Sequence, residues 1–288
     1  MLEEKTKSIQ KKEVAEHFSS ISGDYREKNY QLARKRGKYP DIYRRHQYML
    51  EMMEGLQGRA LEVGCGSGEM LCELLNRNFE VVGMDIAMGM LKASKALTEE
   101  EFSTKKVSLL LGDIENLSFH DQSFDIIIAA GVIEYLDSDK KTFPEFFRLL
   151  KPGGILILSV RNKLNLSRLI TTTRDLLSSI RGIGKLINSL SVLARRTLSL
   201  PPSNGFPGRR HIPLCLIREL REMGLIQVDF AFSYFAIFPR ILERRFPDFC
   251  IGWGERMEMF SKTILGYFGN QYIIKAQKVR DESTNSGN

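Results

Sequence analysis

Short apolar runs alternate with segments of helical spacing through the middle of the chain. The runs are Ala60–Val63, Val81–Met84, Val107–Leu111, Phe124–Ala130 and Ile155–Val160. Between them, apolar residues recur every three or four positions over Leu71–Leu75, Met88–Leu97 and Phe143–Leu150. Continuous apolar runs are typical of parallel strands buried on both faces, so the pattern predicts an α/β fold. Right-handed crossovers would place the loops at the carboxyl ends of the strands on one rim of the sheet.

The flanking regions complete the predicted elements. Helices are expected over Val14–Phe18, Ile42–Met53 and Leu214–Met223, and two more strands near Val228–Phe235 and Tyr272–Ala276. We also expect a helix cap at Asp85 and a sharp turn at Lys151–Gly154 before the fifth strand. The polar tail after Val279 is predicted to be disordered.

Composition limits the class of protein. The chain has 288 residues, of which 43% are hydrophobic, enough for one large core. No run of 18 apolar residues occurs, and the charged residues 1–12 lack the apolar stretch of a secretory signal. The four cysteines show no metal-ligand spacing, so we expect free thiols, no metal site and a cytoplasmic location.

The positive charge is concentrated in one segment. Residues 161–211 contain ten basic residues and a single acidic one, Asp175, for a net charge of +9. The whole chain carries +7, which leaves −2 for the remainder. Leucine and isoleucine recur among the basic residues, as in helices that lie on anionic lipid. Three interpretations remain open: a membrane-contacting helix, a cap over the active site, and a nucleic-acid clamp, which the lack of interleaved aromatic residues disfavours.

A glycine-rich motif lies between the first strand and the first helix of the alternating region. Gly64, Gly66 and Gly68 form GxGxG, which allows a tight turn and a close approach of the backbone to a ligand. The spacing differs from the dinucleotide pattern GxGxxG, which argues against a dehydrogenase. Taken alone, the motif is also compatible with an ordinary strand-to-helix turn.

Two acidic residues at later strand ends strengthen the ligand interpretation. Asp85 ends the second run, where a carboxylate can bind both hydroxyls of a ribose. Asp113 follows the third run beside Ile114, and this pair suits an adenine: the acid accepts from the amine and the apolar side chain packs on the ring. Phe124–Asp125 then opens the fourth strand, and Leu150–Gly154 precedes the fifth.

With these four motifs in order, Gly58–Val160 resembles the class I S-adenosylmethionine-dependent methyltransferases. The resemblance implies a Rossmann-like α/β fold, a seven-stranded methyltransferase sheet with helices on both faces. It also implies S-adenosylmethionine as cofactor. The implied cofactor contacts are Gly64, Gly66 and Gly68 with Glu62 at the methionine side, Asp85 at the ribose, Ile86, Asp113 and Ile114 at the adenine, and Ala130 under the methionine.

Residues 1–57 are expected to form an N-terminal helical lid, and 58–279 the methyltransferase domain. Residues 161–212 would be a basic amphipathic insertion, and 280–288 a disordered tail.

A narrower resemblance is to the ubiquinone-biosynthesis O-methyltransferase group. It is carried by the segment Arg44–Gly64 and by Val132–Ile133–Glu134–Tyr135. It implies that Arg44, twenty residues before the first motif glycine, contacts the cofactor, and that the insertion after the fifth strand binds lipid. The group usually has Glu-His where this chain has Glu134–Tyr135, which puts histidine- or metal-based catalysis and the quinone-precursor acceptor in doubt.

For the substrate side, candidate catalytic residues are Glu134, Tyr135 and His211, since a hydroxyl acceptor must lose its proton. Tyr25, Tyr30 and Tyr39 are candidates for a lid over the pocket. We expect O-methylation of a small lipophilic acceptor and contact with an anionic membrane surface. The alternatives are methylation of RNA or protein, and a non-catalytic cofactor-binding module.

Overall fold

The computed structural model describes residues 2–31, 41–102, 107–165, 208–235, 238 and 240–280. Eight α-helices lie within these ranges: α1 Leu2–Arg26, α2 Asp41–Met52, α3 Glu69–Asn76, α4 Met88–Glu101, α5 Thr142–Leu149, α6 Pro213–Glu222, α7 Arg240–Arg245 and α8 Pro247–Met257. The strands are β1 Arg59–Val63, β2 Glu80–Asp85, β3 Ser108–Leu111, β4 Phe124–Ala130, β5 Leu150–Arg161, β6 Leu225–Ser233 and β7 Gln271–Lys278. Short 3₁₀ turns cover Ile133–Tyr135, Glu258–Phe260 and Ile264–Phe268, and a π-helical turn, Glu27–Gln31, follows α1.

The strands form one seven-stranded sheet in the order β3-β2-β1-β4-β5-β7-β6. The first five strands are parallel, whereas β7 runs antiparallel to both β5 and β6. The Rossmann-like α/β sheet expected from the sequence is therefore confirmed. The order reverses between β1 and β4, and the crevice at such a switch point is where α/β sheets bind ligands.

Both faces of the sheet are covered by helices, as the continuous apolar strands require. Along β4, Ile127 and Ala129 belong to one core cluster, while Ile126 and Ile128 belong to the other. The first cluster includes residues of α5 and α6, and the second includes residues of α2, α3 and α4. Alternate strand residues therefore pack against opposite helical layers.

Two local expectations need correction. The Lys151–Gly154 stretch is an irregularity inside β5 and not a turn before it, because Leu150 already pairs with Phe124 and Ile155 pairs with Ile126. The extra residues bulge out, and Gly153 takes a φ of +80° there. The N-cap of α4 is Ala87, not Asp85. Asp85 is the last residue of β2, and its carboxylate accepts the Ala87 backbone N–H at 2.8 Å.

The ends of the expected insertion are placed, but most of it lies outside the described residues. Asn162 and His211 form an isolated parallel bridge, so the chain leaves β5 and returns to α6 at one point. Residues 166–207, and with them the predicted amphipathic pattern, are outside the described ranges, as are Tyr39 and residues 281–288. Within the described part of the chain, no helix combines the length and apolarity needed to span a bilayer.

Candidate active site

The loop between β1 and α3 forms the floor of a cavity at the carboxyl ends of the strands. The backbone N–H groups of Gly64 and Cys65 both donate to the Met84 carbonyl, at 2.7 and 3.0 Å, which ties this loop to β2. Gly64 has a φ of +67°, and a Cβ there would lie 2.3 Å from Val132 Cγ2. Gly66 has a φ of +53°, and a Cβ there would meet no atom within 4 Å. The loop therefore presents bare backbone to open space, as a bound ligand requires.

Asp85 joins this loop to the start of α4. Its Oδ2 accepts the Gly66 N–H at 2.9 Å, and its Oδ1 accepts the Ala87 N–H at 2.8 Å. Burial raises the pKa of Asp85, although hydrogen bonds from Ala87 and Gly66 act in the opposite direction. The carboxylate thus lines the cavity with two of its acceptor positions already used.

Two buried polar groups lie near the carboxyl ends of β1 and β4, Glu62 on β1 itself and Arg45 against Gly131 after β4. Glu62 is 3% exposed, and its Oε2 has no hydrogen bond from the described residues. Burial, together with the nearby carboxylates of Glu69 and Asp85, raises the pKa of Glu62 well above its ordinary value. The Arg45 guanidinium is also buried and lies against Gly131, where a Cβ would be 2.3 Å from Nη1. No described carboxylate is within ion-pairing distance of Arg45.

The opposite end of the cavity contains Asp113 and Ile114. Asp113 Oδ1 accepts the Glu115 N–H at 3.0 Å. The ammonium of Lys11, on α1, forms ion pairs with both Asp113 and Glu115. Burial lowers the pKa of Lys11, but its hydrogen bonds to these two carboxylates outweigh burial and raise it. An N-terminal helix therefore reaches the acid expected to bind an adenine.

Asp85, Asp113, Ile114 and the glycine loop line one cavity that opens to solvent, and Glu62 and Arg45 lie outside its lining. Helix α1 forms one of its walls through Lys11, Val14, Phe18 and Tyr25. The other lining residues come from the strand ends and the loops that follow them: Gly64, Gly66, Met84, Asp85, Ile86, Met90, Gly112, Asp113, Ile114, Ala130, Gly131, Val132, Tyr135 and Leu136.

Tyr135 is fixed in the wall by two other side chains. Its hydroxyl accepts a hydrogen bond from Arg161 Nη2 at 3.1 Å, and Phe18 packs edge-on against its ring. Arg161 also donates through Nε to Glu134 Oε1 at 2.8 Å. Burial raises the pKa of both Tyr135 and Glu134, with Arg161 opposing the shift in each case. Glu134 itself is buried behind the wall and does not line the cavity.

His211 lies at the base of the insertion. Its Nε2 is 2.9 Å from Asp139 Oδ2, and Arg209 pairs with the same carboxylate. The Arg209 backbone N–H also donates to the Glu134 carbonyl at 2.6 Å. Residues 209–211 are therefore fastened to the loop after β4, and His211 does not line the cavity.

The structure thus brings together eight of the predicted site residues around the cavity: Gly64, Gly66, Asp85, Ile86, Asp113, Ile114, Ala130 and Tyr135. It does not bring Arg44 there, because Arg44 donates through Nε to Glu258 at 2.7 Å. Gly68 is the N-cap residue before α3, where a Cβ would meet Ser94, and it does not line the cavity. Sequence analysis missed Lys11 and Arg45. Arg45, next to the predicted Arg44 on α2, lies against Gly131, whereas Arg44 faces Glu258.

Among the described residues, no three His, Cys, Asp or Glu side chains are arranged to hold a metal ion.

Comparison with known proteins finds similarity to methyltransferases over part of the chain. Residues 61–158 match the family model described as a methyltransferase domain. The chain is 31% identical over 163 residues to the biotin biosynthesis bifunctional protein BioHC of Teredinibacter turnerae, covering 53% of this chain and 27% of that protein. It is 30% identical over 153 residues to a demethylmenaquinone methyltransferase of Lactococcus lactis, covering 52% and 58%. The chain thus spans less than two thirds of either relative.

A solved structure gives the same fold over nearly the whole chain. Magnesium protoporphyrin IX methyltransferase from Synechocystis, with bound SAH, superposes with a TM-score of 0.55 at 16% identity, covering 93% of this chain and 99% of that one. The sheet order, the GxGxG loop at the switch point and the matched family model all indicate the same kind of domain. Residues 61–158 therefore form a methyltransferase domain of the class I, S-adenosylmethionine-dependent type.

Proposed function

We propose that this protein transfers a methyl group from S-adenosylmethionine to a hydroxyl of a small lipophilic acceptor. The observation that carries the proposal is the composition of the cavity, in which acidic groups at the strand ends face a largely apolar wall. The apolar side chains are Val14, Phe18, Met84, Ile86, Met90, Ile114, Val132 and Leu136. The relatives are named for different pathways, so they support a small-molecule acceptor only as a class.

The residues around the glycine loop fit the cofactor. Glu62 and Arg45 are buried polar groups with unused hydrogen-bonding capacity, and a ligand with an ammonium and a carboxylate would satisfy both, the ammonium also favouring ionisation of Glu62. Asp85 would hold the ribose, and Asp113 with Ile114 the adenine. When bound, S-adenosylmethionine supplies a methyl group on a sulfonium centre that needs no further activation.

The protein's own contribution is alignment of the acceptor and exclusion of water. Burial raises the pKa of Tyr135, so its phenol stays protonated near neutral pH and orients the acceptor by hydrogen bonding instead of acting as a base. Arg161 holds Tyr135, and Glu134 holds Arg161. We therefore assign Glu134 a positioning role in place of the base expected from the sequence. The acceptor hydroxyl releases its proton to water, and the products are the methyl ether, S-adenosylhomocysteine and that proton.

The test begins with cells that lack this protein. Their lipid extract should contain a species one methyl lighter than one in the parent cells. Purified protein with labelled S-adenosylmethionine should transfer label into that species, recovered in the organic phase. Tyr135→Phe should lower turnover about tenfold or more while the cofactor Kd changes little.

Other outcomes would overturn the proposal. Label recovered in RNA or protein would favour a macromolecular methyltransferase that uses the basic segment 161–211. Cofactor binding without transfer to any extract would favour a non-catalytic module.

A further inference from the structure

The surface formed by α7 and α8 carries a row of exposed apolar side chains. Leu242, Phe246, Phe249 and Trp253 are between 40% and 58% exposed. Leu242 is on α7, Phe246 lies between the two helices with a φ of −136°, and Phe249 and Trp253 are four residues apart on α8, so the last two share one side of that helix. We call these four residues the aromatic stripe.

The opposite side of α8 is the one that packs against the protein. Ile251 and Gly254 are buried, and Glu258 is buried just beyond the end of the helix. Their spacing of three and four residues puts them on one side of α8, and Phe249 and Trp253 lie on the other side. The aromatic residues of α8 therefore face away from the protein. Large exposed apolar patches of this kind mark interaction surfaces.

Both signs of charge accompany the stripe. Residues 240–257 carry four arginines against Glu243, Asp248 and Glu255, a net charge of +1, and three of the arginines fall in the segment 240–245 that precedes Phe246. The guanidinium of Arg245 lies 5.3 Å from the centre of the Phe246 ring, so its charge is held at the edge of the apolar surface. Tryptophan and phenylalanine bordered by arginine are the chemistry of a helix that lies in the interface of an anionic bilayer.

The stripe is also connected to the cavity. Glu258, directly after α8, pairs with Arg44 on α2, and the adjacent Arg45 lies against Gly131, which lines the cavity. A surface held by α8 would therefore lie next to the elements that build the site.

We propose that the aromatic stripe docks the protein on the surface of an anionic lipid bilayer, from which it takes its acceptor. The choice of acceptor source rests on the proposed function, whereas docking itself can be measured without any turnover.

Trp253 is the only tryptophan in the chain, so the fluorescence of the unmodified protein reports on the stripe directly. Vesicles of phosphatidylcholine with phosphatidylglycerol should shift its emission to shorter wavelength, and brominated acyl chains should quench it. Because much of the contact is apolar, high salt should release the protein only in part. Unchanged Trp253 emission at saturating vesicle concentrations would overturn the proposal.

Phe246→Ser combined with Phe249→Ser should weaken vesicle binding about tenfold or more, because two aromatic side chains that the bilayer would bury are lost. The matched control is Leu214→Ser combined with Val228→Ser, two apolar residues of α6 and β6 with comparable exposure, which should bind vesicles like the wild type. Calorimetry with the cofactor verifies that both proteins are folded.

Three results would contradict docking through the aromatic stripe. The first is unchanged vesicle binding by the Phe246/Phe249 variant. The second is loss of vesicle binding only when basic residues of the insertion (Arg174, Arg181, Lys185, Arg195 and Arg196) are replaced by glutamate. The third is self-association, seen by sedimentation without lipid and abolished in the Phe246/Phe249 variant. Vesicle docking without any methylated lipid would instead contradict the proposed acceptor and leave the docking surface intact.

Discussion

The Asp85 carboxylate supports two loops through backbone hydrogen bonds and also faces the cavity. We predict that Asp85→Ala weakens S-adenosylmethionine binding by about 1.5–3 kcal/mol, the scale of a hydrogen bond to a charged group. The same change leaves the Gly66 and Ala87 N–H groups without their acceptor, so the midpoint of thermal unfolding should also fall. Calorimetry and thermal unfolding check both parts, and Asp85→Asn should lose less of each. Unchanged affinity in Asp85→Ala would remove the ribose assignment.

Adjacent arginines on α2 should have separable effects. Arg45→Met removes a buried guanidinium with no described ion-pair partner, and we expect cofactor affinity to fall roughly tenfold to a hundredfold. Arg44→Met instead removes an ion-pair partner of the buried Glu258, so it should lower the free energy of unfolding and leave affinity nearly unchanged. Calorimetry and urea unfolding of both variants measure the contrast. The reverse pattern would return the cofactor role to Arg44.

Glu62 should make stability depend on pH in a direction opposite to most carboxylates. Its pKa is raised well above the ordinary 4.5, chiefly by burial. The folded state therefore keeps a proton that the unfolded chain has released. This contribution to stability is complete below pH 4.5 and is lost as the pH rises through the raised value.

Glu62→Gln abolishes this titration, so its free energy of unfolding relative to the wild type should increase as the pH rises from about 4.5 towards neutrality. Urea titrations at a series of pH values measure the difference, with Glu219→Gln on the exposed side of α6 as the control for loss of charge. The variant should also bind the cofactor more weakly. A difference that does not depend on pH would show that Glu62 ionises normally.

At the scale of elements, α1 is held against α4 by very close packing. The Gly89 N–H donates to Ser19 Oγ at 3.2 Å, and a Cβ on Gly89 would lie 2.7 Å from the Ser19 Cα. Gly89→Val should push α1 away from the cavity that it lines, reduce cofactor affinity about tenfold and leave the sheet intact. Hydrogen exchange of the α1 amides and calorimetry measure the two effects.

Gly23→Ala, on α1 itself, provides the control. A Cβ there meets no atom within 4 Å, so the change should leave affinity unaltered and stabilise the helix by about 0.5–1 kcal/mol. If Gly89→Val binds the cofactor as tightly as the wild type, α1 does not contribute to the site.

Elements could be predicted from the sequence where burial alone determines them. The strand β4 was expected at Phe124–Ala130, and its bounds are confirmed, because a strand covered on both faces must be apolar throughout. The approach of Lys11 to Asp113 could not be predicted, since it depends on how α1 docks over the sheet and not on any local pattern. The choice between Arg44 and Arg45 likewise depends on the rotation of α2 about its axis, which a sequence distance does not define.

For the whole molecule, the rhythm of apolar runs predicted parallel strands, but the position of β7 between β5 and β6 is a tertiary property. Its residues look like any other buried strand along the chain. The strand pairing shows its position: Lys275 of β7 lies opposite Ile157 of β5 on one edge and opposite Asp229 of β6 on the other, and β7 is antiparallel to both strands.

This order has a consequence for how the protein is made. During synthesis, β5 leaves the ribosome long before β7, so the edge of β5 remains open while more than a hundred further residues are translated. Leu156, Ile157 and Leu158 are fully buried in the finished sheet and would be exposed on that edge in the meantime. We predict that ribosome-bound chains stay protease-sensitive until β7 has emerged from the exit tunnel, and then become resistant in one step. Such nascent chains are natural clients for chaperones that cover apolar strand edges, whereas early resistance would mean that the parallel half of the sheet folds alone.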